Sequence, residues 1–315
     1  MFPGSHAGAR SLLFLVAIFL AAAFSGCQAS RAPAASRRRG EDAASRPDQP
    51  ATAGARPSGC PLPDGLGSGA GAVSSREALL PLCRPGQTAS FVSASSAWFR
   101  AAPGDPAAAN WFSQALYVRA LERDGLRSPC APEPEFIDHG PPSDPAEAVL
   151  YDADQNATIG WSHIIRTPAA RSDAEASLCL ADAALASQFD AGLFRRRLRI
   201  LMDLGRDADL RESIRGLGSA TPARFPGGAA RAFVAYVPDY LGVGREIEAG
   251  ELSLLLRQLD PGAASRLEPF RRAIVLQVRR RYPQGGAARQ EREAWISSHD
   301  FDRTWAAQAP GRQPR

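Results

Sequence analysis

The chain has 315 residues, of which 44% are hydrophobic and 22% charged, and its formal net charge is +4. All 37 basic residues are arginine, because the sequence contains no lysine. Lysine-dependent chemistry, such as Schiff-base formation or the phosphate contact of a P-loop, is therefore excluded. A charge of +4 spread over this length is not a polybasic signature, so nucleic acid is not an expected partner.

An apolar stretch without charges runs from Ser11 to Phe24. It is shorter than the ~20 residues that a transmembrane helix needs, and polar sequence follows it, so residues 1–26 are predicted to be a signal peptide. The residues at its end, Ser25-Gly26-Cys27, resemble the lipobox of bacterial lipoproteins, although Phe24 stands where that motif usually has leucine.

The resemblance implies that the signal is cut before Cys27, that its sulfur carries a diacylglycerol and that the new amine is acylated, for example with palmitate. Three acyl chains, at ~0.8 kcal/mol per buried methylene, would give lasting membrane attachment. Gln28 in the place of aspartate implies, by the proteobacterial sorting rule, the outer membrane rather than the inner one, with the body in the periplasm. Two alternatives stay open: a secretory signal cut near Ala23 to Gly26, and an uncleaved anchor.

Beyond the anchor, the sequence up to residue 75 is mostly Ala, Arg, Ser, Pro and Gly, with almost no large apolar side chain. Such a segment cannot bury enough surface to offset the entropy of ordering it. Residues 27–75 are therefore predicted to be a lipid anchor followed by a disordered tether, and residues 306–315 a disordered tail.

Residues 76–305 are predicted to form a single, mainly α-helical domain with the character of helical hairpins, because apolar residues recur there at helical spacing. The predicted apolar faces are Trp111, Ala115, Val118 and Leu121; Phe194, Leu198 and Leu201; Leu252, Leu255, Leu256 and Leu259; and Leu267, Phe270, Ile274 and Val278. The best strand candidate is Ala232 to Val237. No sustained internal repeat is found, including at the tetratricopeptide period.

Apart from Cys27, the chain has four cysteines, an even number that suits disulfides in an oxidising compartment. They are Cys60, Cys83, Cys130 and Cys179. Four cysteines allow three pairings, and the sequence does not choose among them. Two structural disulfides are predicted, which would cross-link the first half of the mature chain. Partial pairing and buried thiols remain as the alternative.

Three histidines outside the signal peptide are weak catalytic candidates, namely His139, His163 and His299. His139 lies in a predicted loop, whereas the apolar neighbours of His163 favour a packed side chain. Ser298-His299-Asp300 has the residue types of a catalytic triad, but triad members converge from distant segments, and the side chains of neighbouring residues are expected to point apart.

The stretch that begins at Asp152 resembles the start of an EF-hand calcium loop, because Asp152, Asp154 and Asn156 place oxygen ligands two residues apart. Ala157 stands where this loop needs glycine, and His163 where a glutamate closes the site. A polar surface turn is therefore preferred to a calcium site, and no cofactor is expected. Asn156 also begins an N-glycosylation acceptor, which matters if the chain is a viral or eukaryotic ectodomain.

Arginine-rich helical faces at 195–199 and 279–281 would suit phosphate-bearing lipid or peptidoglycan carboxylates. In a chain without lysine, however, arginine supplies every solvated positive charge, so ordinary surface charge is the preferred interpretation. The sequence favours an exported, lipid-anchored envelope protein whose helical body binds another envelope protein or scaffolds an assembly, without catalytic activity. The alternative is a periplasmic hydrolase with a histidine/carboxylate site.

Overall fold

The structure is a computed structural model, and it describes residues 60–63, 66, 75–131, 140–160 and 163–305. All of these residues belong to one compact unit. They are mainly α-helical and include no β-strand, which confirms the predicted fold class. Within this part of the chain, no helix has both the length and the apolar character needed to cross a membrane. The predicted signal peptide, Cys27, most of the predicted tether and the predicted tail lie outside the described residues.

The α-helices of the described residues, in chain order, are α1 (Arg76–Leu79), α2 (Thr88–Ala101), α3 (Pro106–Arg123), α4 (Pro145–Thr158), α5 (Pro168–Ser187), α6 (Ala191–Asp203), α7 (Asp207–Leu217), α8 (Thr221–Arg224), α9 (Gly228–Phe233), α10 (Tyr236–Gly242), α11 (Glu246–Leu259), α12 (Ala264–Arg281) and α13 (Ala287–Ser298). The four apolar faces predicted from the sequence lie on α3, α6, α11 and α12. Short 3-10 turns lie at Leu80–Leu82, Gly218–Ala220 and Pro261–Ala263.

Helix α3 shows how local sequence sets the bounds of a helix. The Asp105 carboxylate caps its start by accepting a hydrogen bond of 2.9 Å from the amide of Ala107, and Pro106 fits the first helical position because no amide hydrogen is needed there. Gly125, just beyond its end, has a φ of 69°, a left-handed conformation that favours glycine. The predicted face of α3 is buried except at Trp111, which stays partly exposed.

The second half of the body contains three helical hairpins, α6–α7, α10–α11 and α12–α13, which we call the hairpin stack; the short helices α8 and α9 lie between the first and the second. Helix α11 packs against both α7 and α13, while α10 packs against α12. Gly250 allows α13 to come close to α11, because a Cβ atom at this position would overlap the ring of Trp295. Helix α4, from earlier in the chain, packs across α10 and α12.

The first two hairpins each contain the same type of turn between their helices. Gly205 and Gly244 have φ values of 73° and 78°, and the amide of the following arginine donates to the carbonyl five residues back, at 2.8 Å for Arg206 and 2.9 Å for Arg245. The pattern Gly-Arg-acid-X-acid begins at both glycines. This turn motif occurs twice, whereas a sustained internal repeat was not found in the sequence.

The predicted strand from Ala232 to Val237 is wrong. Helix α9 runs through Phe233, and α10 begins at Tyr236. Pro238 lies in the first turn of α10, where its missing amide hydrogen costs no helical hydrogen bond. Buried side chains at Phe233 and Val237 come from two short, successive helices, and this spacing imitates the alternation of a strand.

Two disulfides cross-link the N-terminal helices, as predicted. Cys60 is bonded to Cys179 of α5, with the Cα atoms 5.6 Å apart, and Cys83 is bonded to Cys130, with the Cα atoms 5.0 Å apart. Because the first disulfide holds residue 60 against α5, the body begins before residue 76, where the sequence placed its boundary.

Candidate functional site

His163 lies in the short segment between α4 and α5 and is 7% exposed, in agreement with the packed side chain that was predicted. Its Nε2 is 3.0 Å from Oδ2 of Asp203, the last residue of α6. Its Nδ1 is 2.9 Å from the carbonyl oxygen of Gly160, just beyond α4. Both ring nitrogens therefore face oxygen acceptors, and the ring links the end of α4 to the end of α6.

The Asp203 carboxylate is fully buried, is hydrogen-bonded at Oδ2 and forms an ion pair at Oδ1. The hydroxyl of Tyr117 in α3 donates to Oδ2, and Nε of Arg199 lies 3.0 Å from Oδ1. Burial, and after it the charge of Asp203, raises the pKa of Tyr117 well above its usual value, so the hydroxyl keeps its proton and serves as a donor. The charge of Asp203 is thus compensated inside the fold.

Arg199 extends these contacts to α10 and α4. Its Nη1 is 2.6 Å from Oδ2 of Asp239, and Oδ1 of Asp239 accepts a hydrogen bond of 3.0 Å from the side chain of Asn156 in α4. Burial alone would lower the pKa of Arg199, but Asp203 and Asp239 raise it above its usual value. We call this set of side chains the network: Tyr117, Asn156, His163, Arg199, Asp203 and Asp239.

A cavity of about 390 Å³ opens beside the network. Its lining residues are Asp124, Leu126, His163, Ile164, Arg166 and Val243. A general base must present an unoccupied lone pair to the proton that it takes from a substrate. Because each ring nitrogen of His163 contacts an oxygen of the protein, this arrangement favours the positioning of helices over proton transfer.

A second cleft, also of about 390 Å³, lies between the starts of α7 and α11 and is lined by charged residues of both repeated turns. Arg245 of the second turn contacts the buried Asp207 of the first. The acid at the equivalent position of the second turn, Glu246, is 1% exposed. It lies 3.1 Å from Arg281 and 2.9 Å from Arg292 of the third hairpin. Each of these two acids is therefore held by arginine from the following hairpin.

The other histidine candidates lie away from the network. His139 is outside the described residues. His299 follows α13, is exposed and stacks on Trp295 with ring centroids 4.4 Å apart. The expectation that Ser298 and His299 point apart is wrong, because Oγ of Ser298 is 2.9 Å from Nδ1 of His299. That nitrogen also lies 2.8 Å from the carbonyl oxygen of Trp295, so the contact closes the end of the helix.

The stretch predicted as a polar turn or calcium loop is helical. Asp152, Asp154 and Asn156 lie within α4, where side chains two residues apart project about 200° apart around the axis. They therefore do not converge on one ion, and Asn156 contacts Asp239 instead. Within the described ranges, no group of three or more His, Cys, Asp or Glu residues could hold a metal ion.

The interpretation of the arginines on α6 as solvated surface charge is wrong. Arg196 donates to the side chains of Asn110 at 2.6 Å and Gln114 at 3.0 Å on α3, and burial lowers its pKa to about 10. Arg199 belongs to the network. In the other arginine-rich stretch, Arg280 pairs with Glu147 of α4. Arg196, Arg199 and Arg280 therefore join helices to one another, and Arg280 remains exposed while it does so.

The chain matches no protein-family model, and no curated protein or solved structure is similar to it at a significant level. The geometry of its own residues is therefore the basis for any functional proposal.

The sequence analysis missed the carboxylates at the centre of the network. A signal for Asp203 was present, because it follows the apolar run Ile200-Leu201-Met202 and lies one turn after Arg199. An acid at the inner face of an amphipathic helix is seldom buried unless it is paired. Asp239 offered a weaker signal, since its partners come from α4 and α6.

Proposed function

We propose that this chain is an exported, lipid-anchored protein of the cell envelope, whose helical body binds another envelope protein in the periplasm. The observation that carries the interaction role is the hairpin stack, in which the first two hairpins have the same type of turn and successive hairpins are joined by buried arginine–carboxylate contacts. Stacked helical hairpins create extended surfaces that suit the binding of other proteins. The contacts of His163 with protein oxygens on both ring nitrogens also support a structural role for this residue.

The membrane part of the proposal rests on Cys27. The lipobox resemblance supports a diacylglycerol on its sulfur, and Gln28 supports sorting to the outer membrane. The two disulfides agree with an oxidising compartment such as the periplasm. Cys27 has no role in either disulfide, so its chemistry can be tested without disturbing the body.

The anchor is tested by the intact mass of the protein extracted from membranes, compared with a Cys27→Ser variant. We expect the wild-type mass to correspond to a chain that begins at residue 27 and carries acyl groups. The variant should lose this adduct and leave the membrane fraction. A wild-type chain that is unmodified and cut at another residue would refute the anchor.

The interaction role is tested with a photo-crosslinking side chain at Glu251, in the charged cleft, in cells that express the full chain. We expect one discrete adduct with an envelope protein. The matched control carries the same side chain at Glu212, an exposed position on α7 that forms an ordinary surface pair with Arg215. Equal labelling from both positions would contradict a specific binding surface in this part of the stack.

A periplasmic hydrolase is the second candidate, and its support is the cavity beside the His163–Asp203 pair. It draws less support from the geometry than the binding role does, since both ring nitrogens of His163 are engaged with protein oxygens. A hydrolytic activity abolished by His163→Gln in a folded protein would favour this candidate over the first.

A further inference from the structure

Helix α4 does not pack where its place in the chain would put it. The helices before and after it, α3 and α5, pack extensively against each other. Helix α4 instead packs against α10 and α12 of the hairpin stack, whose residues begin at Tyr236. The α3–α5 pair therefore has a direct interface of its own, and α4 occupies a groove formed by elements much later in the chain.

The buried side chains of α4 have the spacing of a helix bound in a groove. Ala146, Val149, Leu150 and Ala153 are between 0% and 6% exposed, and their positions are i, i+3, i+4 and i+7. This is the pattern by which amphipathic helices dock into apolar grooves. Alanine at both ends allows the helix to approach closely, and the two larger side chains fill the middle of the groove.

Complementary charges lie along the edge of this groove. Asp144, which caps the start of α4, is 2.9 Å from Arg272 of α12, and Glu147 in the first turn is 2.6 Å from Arg280. Side chains in both pairs are one third to one half exposed, so the pairs guide the orientation of the helix and add little affinity. The acidic end of α4 thus faces the arginine-rich side of α12.

We infer that the groove between α10 and α12 is a receptor for an amphipathic helix of a partner protein, and that α4 occupies it in the unbound chain. The partner helix carries acids in its first turn. At the four positions that face the groove (i, i+3, i+4 and i+7), its side chains are small, large, large and small. This inference rests on the proposed binding function and names the chemistry of its partner. Because α4 must leave before the partner enters, the partner's apparent affinity is its affinity for the open groove multiplied by the fraction of chains in which the groove is open.

The probe is a fluorescein-labelled peptide with the sequence of residues 143–160, and its anisotropy is measured against the full chain in detergent. A chain with Asp144→Arg and Glu147→Arg weakens its own α4, because it loses both ion pairs at the edge of the groove and the Asp144 cap of the helix. We expect it to bind the peptide about tenfold more tightly than the wild-type chain does, because two exposed ion pairs no longer favour the resident helix. Both substitutions lie at exposed pairs, and circular dichroism checks that the variant remains folded.

A groove variant with Arg272→Glu and Arg280→Glu tests whether the same surface binds the peptide. Because the reversed charges repel the resident α4 and the wild-type peptide alike, we expect little change for the wild-type peptide and tighter binding of a peptide that carries arginine at positions 144 and 147. The matched control reverses the exposed Glu212–Arg215 pair on α7, and it should leave peptide binding unchanged.

Unchanged peptide affinity in the Asp144→Arg/Glu147→Arg chain would overturn the inference. So would hydrogen exchange of the α4 amides at the same slow rate as the slowest amides of α5, since α4 would then open only when the whole body unfolds. A concentration-dependent dimer that excludes the peptide would identify a second copy as the occupant and refute a separate partner. The mass of the Cys27 adduct and the crosslink at Glu251 do not depend on α4, so they test the proposed function separately.

Discussion

Different kinds of cross-link join the helices within each half of the body. Helices α1–α5 are joined by two disulfides and also bury Asp173 against Arg119 and Arg123. Helices α6–α13 follow the last cysteine of the sequence. Their buried carboxylates are instead shared between helices and held largely by arginine: Asp203, Asp207, Asp239 and Glu246.

The difference matters because the two kinds of cross-link act on different states of the chain. A disulfide stabilises the fold largely by restricting the unfolded chain, and its effect grows with the length of the loop that it closes. A buried ion pair acts in the folded state, where desolvation offsets much of its attraction, so its loss is costly mainly because one partner is left uncompensated. The first half should therefore respond to reductant, and the second to changes of single charges.

The largest effect is expected from the Cys60–Cys179 disulfide, which closes a loop of 119 residues. Replacing both cysteines, as Cys60→Ser and Cys179→Ala, should lower the free energy of unfolding by about 5 kcal/mol on the chain-entropy relation. Urea unfolding followed by circular dichroism measures this. The Cys83→Ser/Cys130→Ala pair is the matched control, and it should cost less because its loop has 47 residues. Equal costs for the two pairs would contradict a loop-length mechanism.

In the second half, Asp203→Asn should lower the free energy of unfolding by about 3 to 5 kcal/mol, because Arg199 is left near the protein interior with part of its compensation removed. The same urea titration measures it. Asp209→Asn provides a control at an exposed carboxylate that pairs with Arg206 at 2.7 Å, where the expected cost is at most about 1 kcal/mol. Similar costs at both positions would show that burial does not set the importance of the network.

The same contrast explains which parts of the structure could be predicted from the sequence. Helices such as α3 and α6 were predictable, since apolar spacing and end signals such as Asp105-Pro106 and Gly205 are local. The fold class followed from these local signals. The number of disulfides was also predictable from the even count of cysteines other than Cys27, whereas the pairing required the three-dimensional arrangement.

The network was not predictable as a whole, because its contacts join residues far apart in sequence, such as Tyr117 with Asp203. The arginines of α6 were misinterpreted for a related reason. In a chain without lysine, buried and solvated cationic side chains are both arginine, so the residue type does not distinguish them. For Arg196 the distinction comes from its contacts with Asn110 and Gln114 on α3. The repeated turn at Gly205 and Gly244 was visible in the sequence, but its significance depended on the φ values of the two glycines.

A smaller effect is expected at Glu246, because one of its two arginine partners, Arg281, reaches solvent more easily than Arg199 does. Glu246→Gln should lower the free energy of unfolding by about 2 kcal/mol, the scale of hydrogen bonds to a charged group. Arg281 and Arg292 are 32% and 19% exposed in their side chains, so they can turn toward water when the charge of Glu246 is removed. Urea unfolding of Glu246→Gln, of Arg292→Gln and of the double variant measures the coupling. No coupling would mean that the contact does not join the hairpins.

The smallest effect concerns Asp124, which provides an ionisable link between α3 and α5 within the disulfide-bonded half. Its carboxylate accepts hydrogen bonds from the amides of Arg166 at 2.8 Å and Thr167 at 2.9 Å. Desolvation alone would raise its pKa, but these amide hydrogen bonds hold the pKa of Asp124 below its usual range. Because the folded state prefers the charged form, the stabilisation is complete above the unfolded-state pKa of about 3.9 and is lost as the pH falls through the lower folded-state value.

The wild-type chain and an Asp124→Asn variant should therefore differ by a constant amount between about pH 5 and pH 7, and the difference should shrink below about pH 4. Thermal unfolding across this range, with both disulfides intact, measures it. A difference that stays constant down to pH 3 would show that the hydrogen bonds do not depend on the charge of the carboxylate. In that case the Asp124 contact would depend on hydrogen bonding alone, and the buried Asp173 with Arg119 and Arg123 would remain a charged contact of the first half.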